Sequence, residues 1–298
     1  MTITPVEIRK LTAEPCELGE GPGYDPHTDT AWWLDILGCK LLEHQFASGT
    51  TTIHGLPRMG SVIARIDNHR QLLAMEDGLY IRQIEDGQLK QIAELEADNT
   101  ITRSNDGRVH PSGRLWIGTM GREAEENAGS IYWFDGTEVK RLFRDITIPN
   151  SICFTPDGRT GYFADTKKNI VWRVPLDPQN GMPTGEPEEF LTARDLPLGG
   201  GFDGSIIDAD GLLWNATWGS GSINGFAPDA SLVRTYKVPA ARPSCPAFVG
   251  SRLDKMLVTT AFEGYTQADR LKNPEAGNTF ILDGNFNGIA EPVFRLPS

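Results

Sequence analysis

The chain has 298 residues, of which 39% are hydrophobic and 23% charged, as is ordinary for a globular protein. Its formal net charge of −12 argues against nucleic acid and anionic membranes as partners, because phosphate groups are bound mainly by Lys and Arg. No apolar run approaches the roughly 20 residues that span a bilayer, and the N-terminus lacks the basic and apolar regions of a secretory signal. We therefore expect a cytoplasmic protein without a membrane partner.

The cysteines indicate neither a disulfide framework nor a zinc knuckle. They are far apart in the chain and form no CxxC pair, and without a secretory signal we expect reduced, largely buried thiols. They are Cys16, Cys39, Cys153 and Cys245.

A motif of strand, polar turn and strand recurs about six times along the chain. The copies cover residues 23–35, 62–74, 108–118, 154–165, 204–214 and, in degenerate form, 247–260. Their turns, at positions 25, 67, 110, 155, 208 and 250, are 42, 43, 45, 53 and 42 residues apart. This is the size of a four-stranded propeller blade, roughly 40 to 50 residues. An all-β sandwich has no reason to repeat at one period, so the spacing favours an all-β, six-bladed β-propeller with four-stranded blades.

Two irregular segments interrupt the repeats. Residues 175–185 are predicted to form a turn-rich loop, and residues 261–278 to include a short helix at 266–271 before a last strand at 279–282. We expect the ring to close by pairing of an N-terminal strand near residues 6–10 with C-terminal strands near 292–295, which would hide exposed sheet edges. Because no linker is evident, residues 1–298 are predicted to form a single domain.

Polar residues precede four of the repeat strands at matching blade positions. In a propeller the innermost strand of each blade faces a central channel, so we expect these side chains to converge there. A lone Asp or Asn before Gly is usually a turn residue, but four such residues at equivalent positions suggest a site. They are Glu20, Asn105, Asn150 and Asp203.

These residue types suit a divalent cation. Two carboxylates with amide oxygens form an all-oxygen site, as Ca²⁺, Mg²⁺ and Mn²⁺ prefer, and Zn²⁺ also binds carboxylate oxygen. None of the five histidines stands at such a position, which argues against a His-based zinc hydrolase and a His-dyad lactonase. His27 and His110 occur in repeat turns and are predicted to lie at the surface.

Other catalytic signatures are missing from the sequence. It has no Gly-x-Ser-x-Gly nucleophile elbow, no Walker loop and no dinucleotide fingerprint after a strand. The glycine run at 199–201 is predicted to be a flexible turn before the Asp203 strand rather than a phosphate-binding loop.

Four motifs together resemble the senescence-marker-protein/gluconolactonase family, which includes regucalcin and sugar-acid lactonases. Singly they are unspecific, but as a set they are specific, and the resemblance runs from about Glu20 to the last blade. The motifs are residues 19–22, residues 103–107 followed by 113–120, residues 149–151, and residues 202–204 with 208–214.

The resemblance implies a six-bladed propeller with one divalent metal in its central channel and, usually, hydrolysis of aldonolactones. Glu20, Asn150 and Asp203 match the family's metal ligands. Arg103 and Asn105 match residues that contact the sugar hydroxyls and carbonyl. In addition, Glu123 falls where many members place a substrate-binding Glu.

We therefore expect a metal-dependent hydrolase that opens a sugar aldonolactone in carbohydrate catabolism, of gluconolactonase, arabinonolactonase or galactonolactonase type. Asp203 would act as general base while it also contacts the metal, which is Ca²⁺, Zn²⁺, Mn²⁺ or Mg²⁺. The alternatives are a calcium-binding regulatory propeller without catalysis and another esterase on the same scaffold. The expected partner is a small sugar lactone, and the expected assembly is a monomer or a weak homo-oligomer.

Overall fold

Six four-stranded antiparallel sheets form the protein, as the repeats predicted. The structure is a computed structural model that describes residues 5–12 and 14–297. The innermost strands of the sheets contact one another in cyclic order, and the last contacts the first, so the six sheets close into a ring. This confirms the six-bladed β-propeller.

Blades one to three are continuous in sequence, and the short N-terminal strand β1 (Glu7–Lys10) belongs to blade six. Blade one consists of β2 (Gly19–Asp25), β3 (Thr30–Asp35), β4 (Lys40–Gln45) and β5 (Thr50–Gly55). Blade two consists of β6 (Gly60–Arg65), β7 (Arg70–Met75), β8 (Gly78–Gln83) and β9 (Leu89–Glu94). Blade three consists of β10 (Thr102–Val109), β11 (Leu115–Gly121), β12 (Gly129–Phe134) and β13 (Val139–Ile146).

Blades four and five repeat the arrangement, and blade six combines both ends of the chain. Blade four consists of β14 (Pro149–Phe154), β15 (Thr160–Asp165), β16 (Ile170–Pro175) and β17 (Glu188–Thr192), followed by a 3₁₀ turn at Ala193–Asp195. Blade five consists of β18 (Gly201–Ile207), β19 (Leu213–Trp218), β20 (Ser222–Phe226) and β21 (Leu232–Lys237). Blade six consists of β22 (Pro243–Val249), β23 (Lys255–Thr260), β24 (Phe280–Asp283) and β1, with helix α1 (Gln267–Lys272) between β23 and β24.

The core lies between neighbouring blades. The second strand of each blade is almost completely buried on both faces, as in β7 and β11. Leu72 of β7 and Ile117 of β11 belong to one buried cluster shared by blades two and three. Outer strands such as β13 keep one face exposed. Packing between blades therefore stabilises the ring and holds the inner strands around the channel.

Ring closure differs from the sequence prediction in one respect. The N-terminal strand is confirmed, but β1 pairs with β24, with Glu7 opposite Asp283 and Lys10 opposite Phe280. The predicted partner, residues 292–295, forms no strand. This C-terminal segment instead crosses blades two and three, where the Phe294 ring stacks on Phe134 with centroids 5.5 Å apart. Its apolar residues reflect this packing and not strand pairing.

The two irregular segments agree with the predictions within a residue or two. Residues 175–185 form a turn-rich loop with an isolated bridge between Leu176 and Pro183. In the second segment Thr266 caps helix α1, with its side chain accepting the Asp269 N–H at 3.2 Å. Helix α1 is far too short to cross a membrane, and it is the one α-helix in residues 5–12 and 14–297.

The predicted surface position of His110 is wrong, whereas His27 is exposed as predicted. His110 is fully buried beneath the 175–185 loop, its ring Nε2 donating to the Gly158 carbonyl at 2.9 Å. Its Nδ1 accepts the Ser112 N–H at 3.0 Å, so the ring is held as the neutral Nε2–H tautomer. The repeat pattern could not reveal that a loop from the next blade covers this turn.

The thiols agree with the prediction of largely buried cysteines. Cys16, Cys153 and Cys245 are buried, Cys39 is partly exposed, and all four are free. Burial raises the pKa of the Cys16 thiol to about 12, which leaves it protonated and unreactive at neutral pH.

If the C-terminal segment closes the core between blades two and three, Phe294→Ala should lower the free energy of unfolding by about 3–5 kcal/mol, since it removes a buried aromatic ring and leaves a cavity. Denaturant unfolding measures this loss. The control Leu271→Ala removes an apolar side chain that is 77% exposed and should change stability by less than about 0.5 kcal/mol. Equal losses of stability from the two substitutions would contradict the packing role of the C-terminal segment.

Burial lowers the pKa of His110 below its ordinary value, and hydrogen bonding to Gly158 only partly opposes this. Below about pH 6.5 the unfolded chain therefore takes up a proton that the folded ring resists, so stability falls as pH falls, whereas this contribution is fully present above that pH. His110→Gln retains a donor for Gly158 but does not titrate. Between pH 7 and pH 5 we expect wild type to lose more stability in denaturant unfolding than this variant; parallel losses would refute the assignment.

Candidate active site

All six residues singled out in the sequence line one cavity at an end of the central channel. The cavity has a volume of about 310 Å³. Five of its lining residues come from the innermost strands β2, β10, β14 and β18, and the others come from β11, β19 and the loops beside the strands. The lining includes all six predicted site residues, which are Glu20, Arg103, Asn105, Glu123, Asn150 and Asp203.

Four of the site residues lie within the innermost strands, not before them as the sequence suggested: Glu20, Asn105, Asn150 and Asp203. In β2, β10, β14 and β18 the pairing with the neighbouring strand is interrupted at or beside the site residue. Such bulges bend a strand and redirect a side chain. Gly21, next to Glu20, has φ of 55° and lies so close to the Ser61 carbonyl that a Cβ would clash. Turn-like residues therefore occur inside strands because each strand is bulged there.

Side-chain hydrogen bonds join the inner strands beneath the cavity. The Ser61 hydroxyl donates to Ser104 Oγ at 2.8 Å, linking blades two and three. Ser151 donates to the Asp203 carbonyl at 2.5 Å, linking blades four and five. Ser244 donates to the Gly19 carbonyl, linking blade six to blade one. These hydrogen bonds fix the positions of the inner strands relative to one another along the channel.

Two buried carboxylates, Glu20 and Asp203, face this cavity, and burial raises the pKa of both. The pKa of Glu20 rises to about 8, because burial and then the negative charge of Asp106 outweigh the Gly21 N–H and Arg103. The pKa of Asp203 lies well above its usual range, because of burial and then repulsion by Glu20. Both carboxylates would be stabilised in their charged forms by a cation between them.

The donor set fits a hard divalent cation. Glu20 and Asp203 supply carboxylate oxygens, and Asn150 supplies an amide oxygen. Within residues 5–12 and 14–297, no three His, Cys, Asp or Glu side chains are grouped so as to hold a metal ion. A cation at this position would thus depend on the Asn150 amide, and none of the five histidines lines the cavity.

Arg103 and Asn105 are buried beside these candidate ligands. Arg103 Nη1 donates to Asn105 Oδ1 at 2.8 Å and to the Ser104 carbonyl at 2.9 Å. The Asn105 amide group donates to the Pro149 carbonyl at 3.0 Å and to Asn150 Oδ1 at 3.1 Å. These hydrogen bonds hold the Arg103 guanidinium close to the candidate cation ligands. Asn105 is oriented by hydrogen bonds to residues of blades three and four.

Asp106 does not line this cavity, although it adjoins Asn105. Its carboxylate accepts the Ile152 N–H at 2.7 Å and the Gly107 N–H at 2.9 Å, which ties β10 to β14. It has a structural role, and its charge adds to the raised pKa of Glu20.

Glu123 lies at the mouth of the cavity, on the turn after β11, and is exposed. Its N–H donates to the side chain of Glu125 at 3.1 Å. The structure thus brings Glu123 to the same cavity as the buried site residues, at its solvent side.

Several lining residues had no signal in the sequence, notably Thr166, Trp218 and Glu263. The guanidinium carbon of Arg242 lies 5.1 Å from the ring centroid of Trp218 and 4.3 Å from that of Tyr265. The guanidinium also donates a hydrogen bond to the Glu263 carbonyl. This clamp holds the segment after β23 at the cavity mouth. The sequence marked the segment as irregular, but nothing in its composition indicated that it reaches the channel.

Known protein families and solved structures agree with this arrangement of fold and residues. A family model described as the SMP-30/gluconolactonase/LRE-like region matches residues 18–262, which contain all six predicted site residues. The chain belongs to the SMP-30/gluconolactonase/LRE-like family. The resemblance stated from the four motifs is thereby confirmed.

Relatives in this family share nearly the whole chain. A Rhizobium meliloti protein named provisionally as a sugar lactone lactonase is 49% identical over 294 residues, which is 99% of each chain. The L-arabinolactonase of Azospirillum brasilense is 31% identical over 93% of this chain and 92% of its own. The crystal structure of a calcium-binding protein, regucalcin, from Agrobacterium tumefaciens is 49% identical, with a TM-score of 0.96 over 99% of this chain and 100% of that one.

Proposed function

We propose that the protein is a metal-dependent lactonase that hydrolyses the ring ester of an uncharged sugar aldonolactone. The observation that carries the proposal is the convergence of Glu20, Asn150 and Asp203 with Arg103 in one cavity. Relatives named as lactonases support the reaction class.

Glu20, Asn150 and Asp203 would hold the cation. A divalent cation bound there would polarise the ester carbonyl and lower the pKa of a bound water. Glu20 and Asp203 would balance its two positive charges, since Asn150 contributes an oxygen without charge.

Arg103 would stabilise the negative charge that develops on the carbonyl oxygen. Its hydrogen bonds to the described residues all come from Nη1, which leaves Nε and Nη2 for a ligand. A buried guanidinium is well suited to an oxyanion, because a low-dielectric site strengthens the attraction.

Asn105 would bind a sugar hydroxyl only as an acceptor. Both protons of its amide nitrogen are committed to the Pro149 carbonyl and Asn150 Oδ1. Its Oδ1 accepts one bond from Arg103 and retains a second lone pair.

Asp203 would accept the proton of the attacking water, whose oxygen bonds to the carbonyl carbon. The bond between that carbon and the ring oxygen then breaks, and the ring oxygen leaves as a hydroxyl after receiving the same proton from Asp203. The product is the open-chain hydroxy acid, which ionises at neutral pH and releases one proton.

The charges around the cavity mouth favour an uncharged substrate. Glu123 and Glu263 line the mouth, and Arg122 beside them is already paired with Glu76. Carboxylates accept hydrogen bonds from sugar hydroxyls but repel phosphate and other anionic groups.

A calcium-binding propeller without catalysis is the second candidate, favoured by the calcium-binding regucalcin structure at 49% identity. Such a protein would need Glu20, Asn150 and Asp203 but not the uncommitted donors of Arg103. Activity measurements separate the two candidates directly.

Proton release should therefore be followed with gluconolactone, galactonolactone and arabinonolactone, with and without a chelator. We expect turnover of at least one lactone, its loss on chelation and its return when Ca²⁺, Mn²⁺, Zn²⁺ or Mg²⁺ is added. Turnover that is insensitive to the chelator would contradict the metal dependence. Calcium binding without turnover would support the second candidate, and turnover of simple aryl esters alone would indicate another esterase.

In the same assay Asp203→Ala should reduce turnover about 100-fold or more, because it removes a cation ligand and the base. The control Asp210→Ala changes an exposed carboxylate in a turn of the same blade and should retain the wild-type rate. Near-wild-type turnover by Asp203→Ala with metal bound would refute the role of Asp203.

A further inference from the structure

Thr166 lies at the wall of the cavity, directly after β15, and contacts the side chain of Asn150. Its Oγ1 is 2.8 Å from Asn150 Nδ2 and 2.6 Å from the carbonyl oxygen of Phe202, which precedes Asp203 in β18. The Thr166 N–H donates to the Ile148 carbonyl at 3.0 Å, which fixes the backbone at this point. The hydroxyl thus bridges two neighbouring blades.

The direction of these hydrogen bonds is determined by chemistry. A hydroxyl has a single proton, and a carbonyl oxygen can only accept. The Thr166 proton therefore goes to the Phe202 carbonyl, and Oγ1 must accept the bond from Asn150. This requires the amide nitrogen of Asn150 to face Thr166 and its Oδ1 to face the opposite side.

The other end of the hydrogen-bond chain imposes the same orientation. Arg103 can only donate, so Asn105 turns its Oδ1 toward Arg103 and its Nδ2 toward Asn150. Asn150 must then present its oxygen to Asn105. All four bonds from Arg103 to the Phe202 carbonyl run in one direction, and a flipped Asn150 amide would lose two of them.

We propose that Thr166 is a positioning residue for the cation site: its hydroxyl holds the Asn150 amide with Oδ1 available to the metal. The proposal rests on the proposed role of Asn150 as a metal ligand. A flipped amide would present its NH₂ group, which cannot ligate a cation. Thr166 also links Asn150 to the strand that carries Asp203, so it sets the spacing of two ligands from different blades.

The test is calorimetric titration of metal-free protein with Mn²⁺. Thr166→Val retains the side-chain shape but removes the hydroxyl, and we expect it to weaken Mn²⁺ binding about 10- to 100-fold, as is usual when the partner of a metal ligand is lost. Thr166→Ser retains the hydroxyl and should bind within about threefold of wild type. Wild-type affinity in Thr166→Val would overturn the proposal.

A control variant separates this effect from general loss of a buried hydroxyl. Thr235 is buried in β21 and donates to Asn224 Oδ1 at 2.8 Å, outside the cavity. Thr235→Val should leave Mn²⁺ affinity within about threefold of wild type. An equal loss in both valine variants would overturn the specific role of Thr166.

A double-mutant cycle tests orientation itself. Asn150→Asp offers an oxygen in either orientation, so Thr166→Val should cost much less Mn²⁺ affinity in that background than in wild type. An equal cost in both backgrounds would overturn the proposal and leave Thr166 as a packing residue. Because the cycle compares affinities, it also stays informative if one background is less stable.

Asn150→Ala distinguishes failure of this inference from failure of the proposed function. If Asn150→Ala weakens Mn²⁺ binding and Thr166→Val does not, the positioning role alone is refuted. If Asn150→Ala leaves the affinity unchanged, Asn150 is not a ligand, and the proposed function and this inference both fail.

Discussion

The site is built around two carboxylates, Glu20 and Asp203, which are buried together at the end of the propeller channel. Burial of a carboxylate away from water is unfavourable unless it is paired, and two such groups repel each other. Both effects raise the pKa values of the two carboxyl groups. A cation between the two carboxylates would remove this unfavourable repulsion, and the Asn150 amide is placed to supply a third oxygen ligand.

The ring makes this arrangement possible because it brings distant segments to one axis. Pairing of β1 with β24 completes blade six with the N-terminal segment that leads into blade one, and apolar packing between these two blades holds the ring closed. Bulges then turn the site residues inward, and hydrogen bonds that cross between blades orient them. The precision of the site is therefore a property of the interfaces between blades, so a weakened interface would disturb ligand geometry before the fold is lost.

The sequence predicted the fold and four lining residues because both leave regular traces: repeats at a recurring interval and a polar residue at equivalent strand positions. Arg103 and Glu123 were predicted only from the resemblance to the family. It failed where contacts join segments without a shared pattern. The apolar residues around Phe294 suggested a strand, although they pack beneath two blades. The burial of His110 depends on a loop from another blade. Thr166 and Glu263 reach the cavity only through the three-dimensional paths of their loops.

The most direct test is a crystal structure of the protein grown with Ca²⁺, with an anomalous difference map collected at long wavelength. We expect a single strong peak in the channel, with oxygen atoms of Glu20, Asn150 and Asp203 about 2.3–2.6 Å away. A peak elsewhere, or a cation in the channel bound without Asn150 Oδ1, would contradict the proposed cation site.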